Sequence, residues 1–138
     1  MPNRRDVIKL AALPAALPAM MAAMANKIPD ATMDKKQAKV THEAFGDINL
    51  YLDGSTDQLS SLVFGSLQLK PGMEPHPPHQ HPEEEIMVVT EGTGEISVDG
   101  KITKAASGSM MYCKGGKLHG IKNTGKTPML FYYMKWKA

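Results

Sequence analysis

Cysteine is almost absent: Cys113 stands alone in 138 residues. An internal disulfide is therefore excluded, whatever the redox state of the compartment. Arginine is nearly as scarce. Arg4 and Arg5 are the only two, and no basic patch interleaved with aromatics exists to hold nucleic acid. Nowhere does a long apolar pattern recur every 3.6 residues, which argues against an extended amphipathic helix. Internal repeats are lacking. No uncharged run makes a good membrane span either. The best candidate, LAALPAALPAMMAAMA at 10–25, is too short and is broken by Pro14 and Pro18.

That run has another use. It follows NRRDVIK at 3–9 and ends in Ala23 and Ala25, an A-x-A-like cleavage site. Residues 1–25 thus read as an export signal, and the arginine pair resembles the twin-arginine export motif. That route carries folded proteins, so a cofactor can be inserted before export. The expected destination is the bacterial periplasm or the extracellular space, with no stable membrane anchor after cleavage. Loss of Arg4, Arg5, Lys9 and Asp6 with the signal leaves 13 Lys against 13 Asp+Glu. The mature chain is therefore near neutral, and charge says little about its partners. Residues 26–37 (NKIPDATMDKKQ) are polar and small and are expected to form a flexible mature N-terminus. Residues 38–138 form the folded domain.

Within that domain strand signals dominate. Apolar runs recur at DINLYLDG (47–54), SLVFGSLQLKPG (61–72), EIMVVTEG (85–92), TGEISVDGK (93–101), SGSMMYCKGG (107–116) and TPMLFYYMKW (127–136), separated by turn residues. Alternating residues flank Asp99-Gly100, the dipeptide of a tight I′ hairpin. Strands at this spacing predict an all-β fold, a single antiparallel barrel of jelly-roll type.

The densest chemistry lies in GMEPHPPHQHPEEEIMVVTEG at 72–92. In an extended segment, side chains at i and i+2 share a face. His79 and His81 therefore project together, and Glu85 has the same parity. Two imidazoles and a carboxylate supply three ligands for a divalent transition metal. Pro75, Pro77, Pro78 and Pro82 lower the entropy cost of fixing them. A second cluster, GSMMYCKGGKLHGIKN at 108–123, offers His119 between Gly115, Gly116 and Gly120. His119 is a candidate fourth ligand from a different strand.

Two spaced patterns emerge. Gly72, His79, His81, Glu85 and Gly92 form the first; Gly108, Gly116, His119 and Asn123 form the second. They resemble the paired signatures of the cupin superfamily, small β-barrels that hold a metal through three His and one Glu. The resemblance runs from about Leu62 to Met134. It has two departures: one extra residue between Gly72 and His79, and Lys114 where the second signature usually has proline. It implies that His79, His81, Glu85 and His119 are the ligands. It also implies that Gly72, Gly92, Gly108 and Gly116 are turn residues and that Asn123 is structural.

The neighbouring residues receive plainer roles. His76 has the wrong parity and reads as a solvated loop residue. Glu83 and Glu84 read as solvated carboxylates, with a general base or a hold on one of the ligands as the alternative for one of them; His42 reads as a surface residue, and Lys114 and Lys117 as exposed turn lysines. Cys113 reads as a buried small hydrophobe. Met73, Met87, Met110, Met111, Met129 and Met134 read as core filling. The cofactor expected is one divalent transition metal, Fe or Mn before Ni, Cu or Zn. The expected function is a small metalloenzyme acting on a small oxygenated metabolite by dioxygenation, decarboxylation, isomerisation or lyase chemistry. Glu85 is a candidate for a dual role as ligand and catalytic group. The alternative is a non-enzymatic barrel that holds a metal and a small acid or sugar. A homodimer is expected, because small barrels hide edge strands by pairing.

Overall fold

Alternating side chains and glycine-rich turns build an antiparallel β-structure in the computed structural model, which describes residues 26–138. The expected export signal, 1–25, lies outside the described residues. A short 3-10 turn, Lys35–Gln37, precedes nine strands: β1 (Lys39–Glu43), β2 (Gly46–Gly54), β3 (Ser61–Leu69), β4 (Glu84–Glu91), β5 (Thr93–Val98), β6 (Lys101–Ala106), β7 (Met110–Cys113), β8 (His119–Asn123) and β9 (Met129–Lys137). Residues 26–28 run beside the end of β2, with Ser55 hydrogen-bonded to both Asn26 and Ile28.

Six strands form one sheet in the order β1-β2-β3-β9-β4-β7, and three form the other, β6-β5-β8. Every pairing between these strands is antiparallel. This is the all-β jelly-roll architecture that the strand spacing predicted. The chain passes between the sheets at Gly92, whose φ is +83°. A Cβ there would stand 2.7 Å from the Pro128 carbonyl oxygen, so only glycine turns this corner without strain. The expected β5–β6 hairpin is present: Asp99 and Gly100 both take positive φ, 52° and 83°, as a I′ turn requires.

The core lies between the sheets. Leu69, Val89, Met129 and Phe131 from the larger sheet meet Ile96 and Ile121 from the smaller. Burying each such side chain contributes about 1.5–3 kcal/mol. Met87, Met111 and Met129 are core residues as expected. Met73 and Met110, by contrast, are exposed, and Met134 lies half-buried on the outer face of the larger sheet, opposite Phe64 and Ile86. Met110 is adjacent to Met111 on one strand, and the period-2 alternation lets only one of the pair face inward. Asn123, fully buried, is structural as expected. Its side chain donates to the Leu69 and Thr127 carbonyls at 3.1 and 2.9 Å and accepts from the Gly125 amide at 2.9 Å.

Candidate metal centre

The proline-rich run before β4 cannot form a continuous ladder, since four of its residues carry no amide hydrogen. It is instead fixed at two points. His79 pairs with His119 through two backbone bonds, each 2.9 Å, and the Gly116 amide donates to the His81 carbonyl at 2.7 Å. Gly115 permits the close approach: a Cβ on it would lie 2.3 Å from the Pro82 carbonyl oxygen. Two segments distant in sequence are thereby locked side by side before any side chain is considered.

The side chains then converge. One donor atom from each of His79, His81, Glu85 and His119 lies within 4.8 Å of the other three. Glu85 Oε2 is the meeting point, at 2.9 Å from His81 Nε2 and 2.7 Å from His119 Nε2. Glu85 and His119 are 4% and 1% exposed, which places the centre inside the barrel wall. The other ring nitrogens are also engaged. His119 Nδ1 donates to the Lys117 carbonyl at 2.8 Å, and His81 Nδ1 donates to the Glu83 carbonyl at 3.1 Å. With Nδ1 bonded outward, each Nε2 faces inward, where it donates to Glu85 here and offers its lone pair to an ion once that proton leaves.

Charge is distributed to suit a cation. Burial pushes the Glu85 carboxyl upward, but hydrogen bonds from His119 and His81 outweigh it and hold the group below the ordinary carboxylate value. The bond to Glu85 raises His119 above the ordinary histidine value against its own burial. Burial, with His76, His119 and His81 close by, lowers His79 from 6.5 to about 4. At neutral pH, His79 is therefore a neutral imidazole with an available lone pair. Three oriented imidazoles and an ionised carboxylate fit a divalent transition metal. The four residues singled out in the sequence are thus brought together and can hold such an ion.

The structure revises three neighbours. His76 is not free in solvent: its ring stacks on His79 with centroids 3.7 Å apart. Parity presumes an extended chain, and the prolines bend it. Glu83 is half-buried, with Oε2 3.2 Å from His81 Nδ1, and so helps orient that ring. Glu84 accepts a hydrogen bond from the Tyr112 hydroxyl. The remaining assignments agree with the structure. Cys113 is buried, and burial raises its thiol pKa; His42 is a surface residue paired with Asp47; Lys114 and Lys117 are exposed.

Sequence reasoning missed the space beside the centre. A cavity of about 220 Å³ is lined by Glu85, His79 and His76, by apolar residues including Leu67, Met87 and Phe131, and by Tyr133 and Lys135. Its detectable signal is the alternation of β9: Met129, Phe131, Tyr133 and Lys135 share the inward parity, so TPMLFYYMKW places a lysine on an otherwise apolar face.

Known proteins share this arrangement at the level of fold. Residues 65–135 match the family described as "Cupin domain". An RmlC-like cupin from Shewanella frigidimarina is similar with a TM-score of 0.65 at 17% identity, over 80% of this chain and 93% of its own. A predicted oxalate decarboxylase from Thermotoga maritima gives 0.64 at 19%, over 78% and 100%. A putative sugar phosphate isomerase from Acidithiobacillus ferrooxidans gives 0.52 at 23%, over 56% and 51%. No curated protein sequence matches the chain.

Proposed function

Because this chain belongs to the cupin family, we propose that it is a metal-dependent enzyme acting on a small oxygenated molecule able to chelate the ion. The observation that carries this reading is the four-donor cluster opening on a cavity of about 220 Å³. A divalent transition metal, Fe or Mn first, would supply Lewis acidity toward a substrate oxygen. The protein's own residues do the rest. Leu67, Met87 and Phe131 keep bulk water from the reacting end. Glu83 and the Lys117 carbonyl hold two imidazoles in their working orientation. Glu85, placed between His81 and His119, can bind the ion and also accept a proton from a substrate bound beside it.

The Thermotoga neighbour is a predicted oxalate decarboxylase and the Acidithiobacillus one a putative isomerase. Decarboxylation and isomerisation therefore stand beside dioxygenation as reactions to assay. Protein purified from its own host should carry about one metal ion per chain, and His79→Ala with His119→Ala should abolish retention. Metal-free native protein would overturn the reading. Oxygen uptake and carbon dioxide release against small acids and diketones then separate the reactions. Glu85→Gln that keeps metal but loses turnover favours an enzyme; ligand binding without turnover favours a carrier barrel.

Export and pairing complete the proposal. Replacing Arg4-Arg5 with Lys-Lys should block export of a fusion if the twin-arginine route is used. A homodimer is supported by the outer face of the larger sheet, where Phe64, Met134, Ile86 and Tyr112 lie in one row and Tyr132 and Val88 in the next. Light scattering should give twice the chain mass, and Tyr132→Glu should return it to one.

A further inference from the structure

Lys135 is a cation on the cavity wall. It lies directly opposite Glu85 on β4 and Val63 on β3, so its side chain shares the inward face with the metal centre. Glu85, though ionised and directly opposite, makes no ion pair with it, and its Oε2 faces His81 and His119. Among the described residues, Lys135 forms no ion pair. The next acid in that row, Asp53, stands two strands away beyond Val63, about 10 Å by strand spacing.

Away from Glu85, His79 and His76 the wall is largely apolar, and a half-buried lysine there gains from a counter-charge. Tyr133 narrows the same space. Its ring lies across the bare backbone of Gly65, the hydroxyl 2.5 Å from where a Cβ would sit. Lys135 beside Glu85, with Met87 and Tyr133 the next inward pair on the same two strands and Phe131 beyond them, makes a site with one charged end and one largely apolar end.

We propose that Lys135 is the specificity residue of this cavity, selecting a small molecule that carries a carboxylate on a compact apolar body. The assignment rests on the reading of the cavity as the substrate site, and it narrows the substrate class from oxygenated molecules in general to monoanionic acids. The carboxylate is held between the ammonium and the metal centre, so its chelating oxygen is presented in one orientation. A neutral analogue of the same shape keeps the apolar contacts and loses the ionic one.

The test compares benzoate with benzamide, equal in shape and unequal in charge. Binding is followed by NMR titration of the purified protein, zinc-loaded and EDTA-treated, with zinc content measured on the same samples. The wild type should prefer benzoate roughly tenfold, the value of one charged hydrogen bond. Lys135→Met should bring the preference close to one while keeping its zinc. Lys135→Arg should retain it. Lys135→Gln, which keeps polarity without the charge, replaces the Met variant should that fail to fold. No preference in the wild type, or a preference unchanged in Lys135→Met or Lys135→Gln, overturns the proposal. A protein that shows the Lys135-dependent preference but takes up no zinc sinks the metal reading alone. One that takes up zinc without the preference sinks the subsite alone.

Discussion

His79 and His119 face one another across two backbone hydrogen bonds, yet their rings titrate in opposite directions. His79 falls to about 4, whereas the unfolded chain takes up that proton near 6.5. Its contribution to stability is therefore present above pH 6.5 and lost as pH falls from there toward 4. Glu85, lowered as well, adds a loss at still more acid pH. His119 is raised, so its contribution is full below 6.5 and disappears as pH climbs through its folded value. Urea midpoints of EDTA-treated protein should fall between pH 6.5 and 4, and His79→Gln should flatten that descent. An unchanged slope would contradict the assignment. Glu83→Ala removes one of two partners of His81 Nδ1. It should weaken metal affinity by about tenfold, read by competition with a chelator. At this scale the ligands are legible because parity is local: it pairs His79 with His81, and the strand that begins at Glu84 brings Glu85 back to them. His76 escapes that logic because prolines bend the chain back upon its own ligand. Lys135 is hidden because β9 is apolar on both faces, and parity alone does not say which one is inside.

Turns and corners are legible as elements, since positive φ and glycine go together. Gly72, Gly92, Gly108 and Gly116 all take it, at 76°, 83°, 90° and 77°. Their costs differ in a way the sequence does not reveal. A Cβ added at Gly116 would have nothing within 4 Å, whereas at Gly92 it would meet the Pro128 carbonyl oxygen and Met129 Cα at 2.7 and 2.8 Å. Gly116→Ala should cost about 1–2 kcal/mol, the left-handed penalty alone. Gly92→Ala should cost roughly twice that, because backbone must also move. Denaturation midpoints of the two variants give the comparison. Asn123→Ala takes a hydrogen-bond partner from each of the Leu69 and Thr127 carbonyls and the Gly125 amide. It should cost about 2–4 kcal/mol, a larger effect than its place at the end of a β-strand would suggest.

Across the whole domain, the centre ties the approach to β4 to β8, and so joins the larger sheet to the smaller. An ion bound only by the folded state stabilises it by about 2.7 kcal/mol at a free concentration roughly a hundredfold above Kd. Thermal midpoints should rise with added metal in the wild type and stay flat in a His79→Ala, His119→Ala variant. The two-sheet plan is legible from strand spacing; the sheet order is not, because β3 pairs with β9 across nearly the full length of the domain. The backbone clasp between His79 and His119 has a kinetic reach. Their amides donate to each other's carbonyls, and no ring atom takes part in either bond. Those two protons should exchange with heavy water slowly and at similar rates, as a paired clock inside the site. Because this clasp needs no ring atom, capture should proceed at a speed set by ligand substitution on the metal rather than by refolding of the loop.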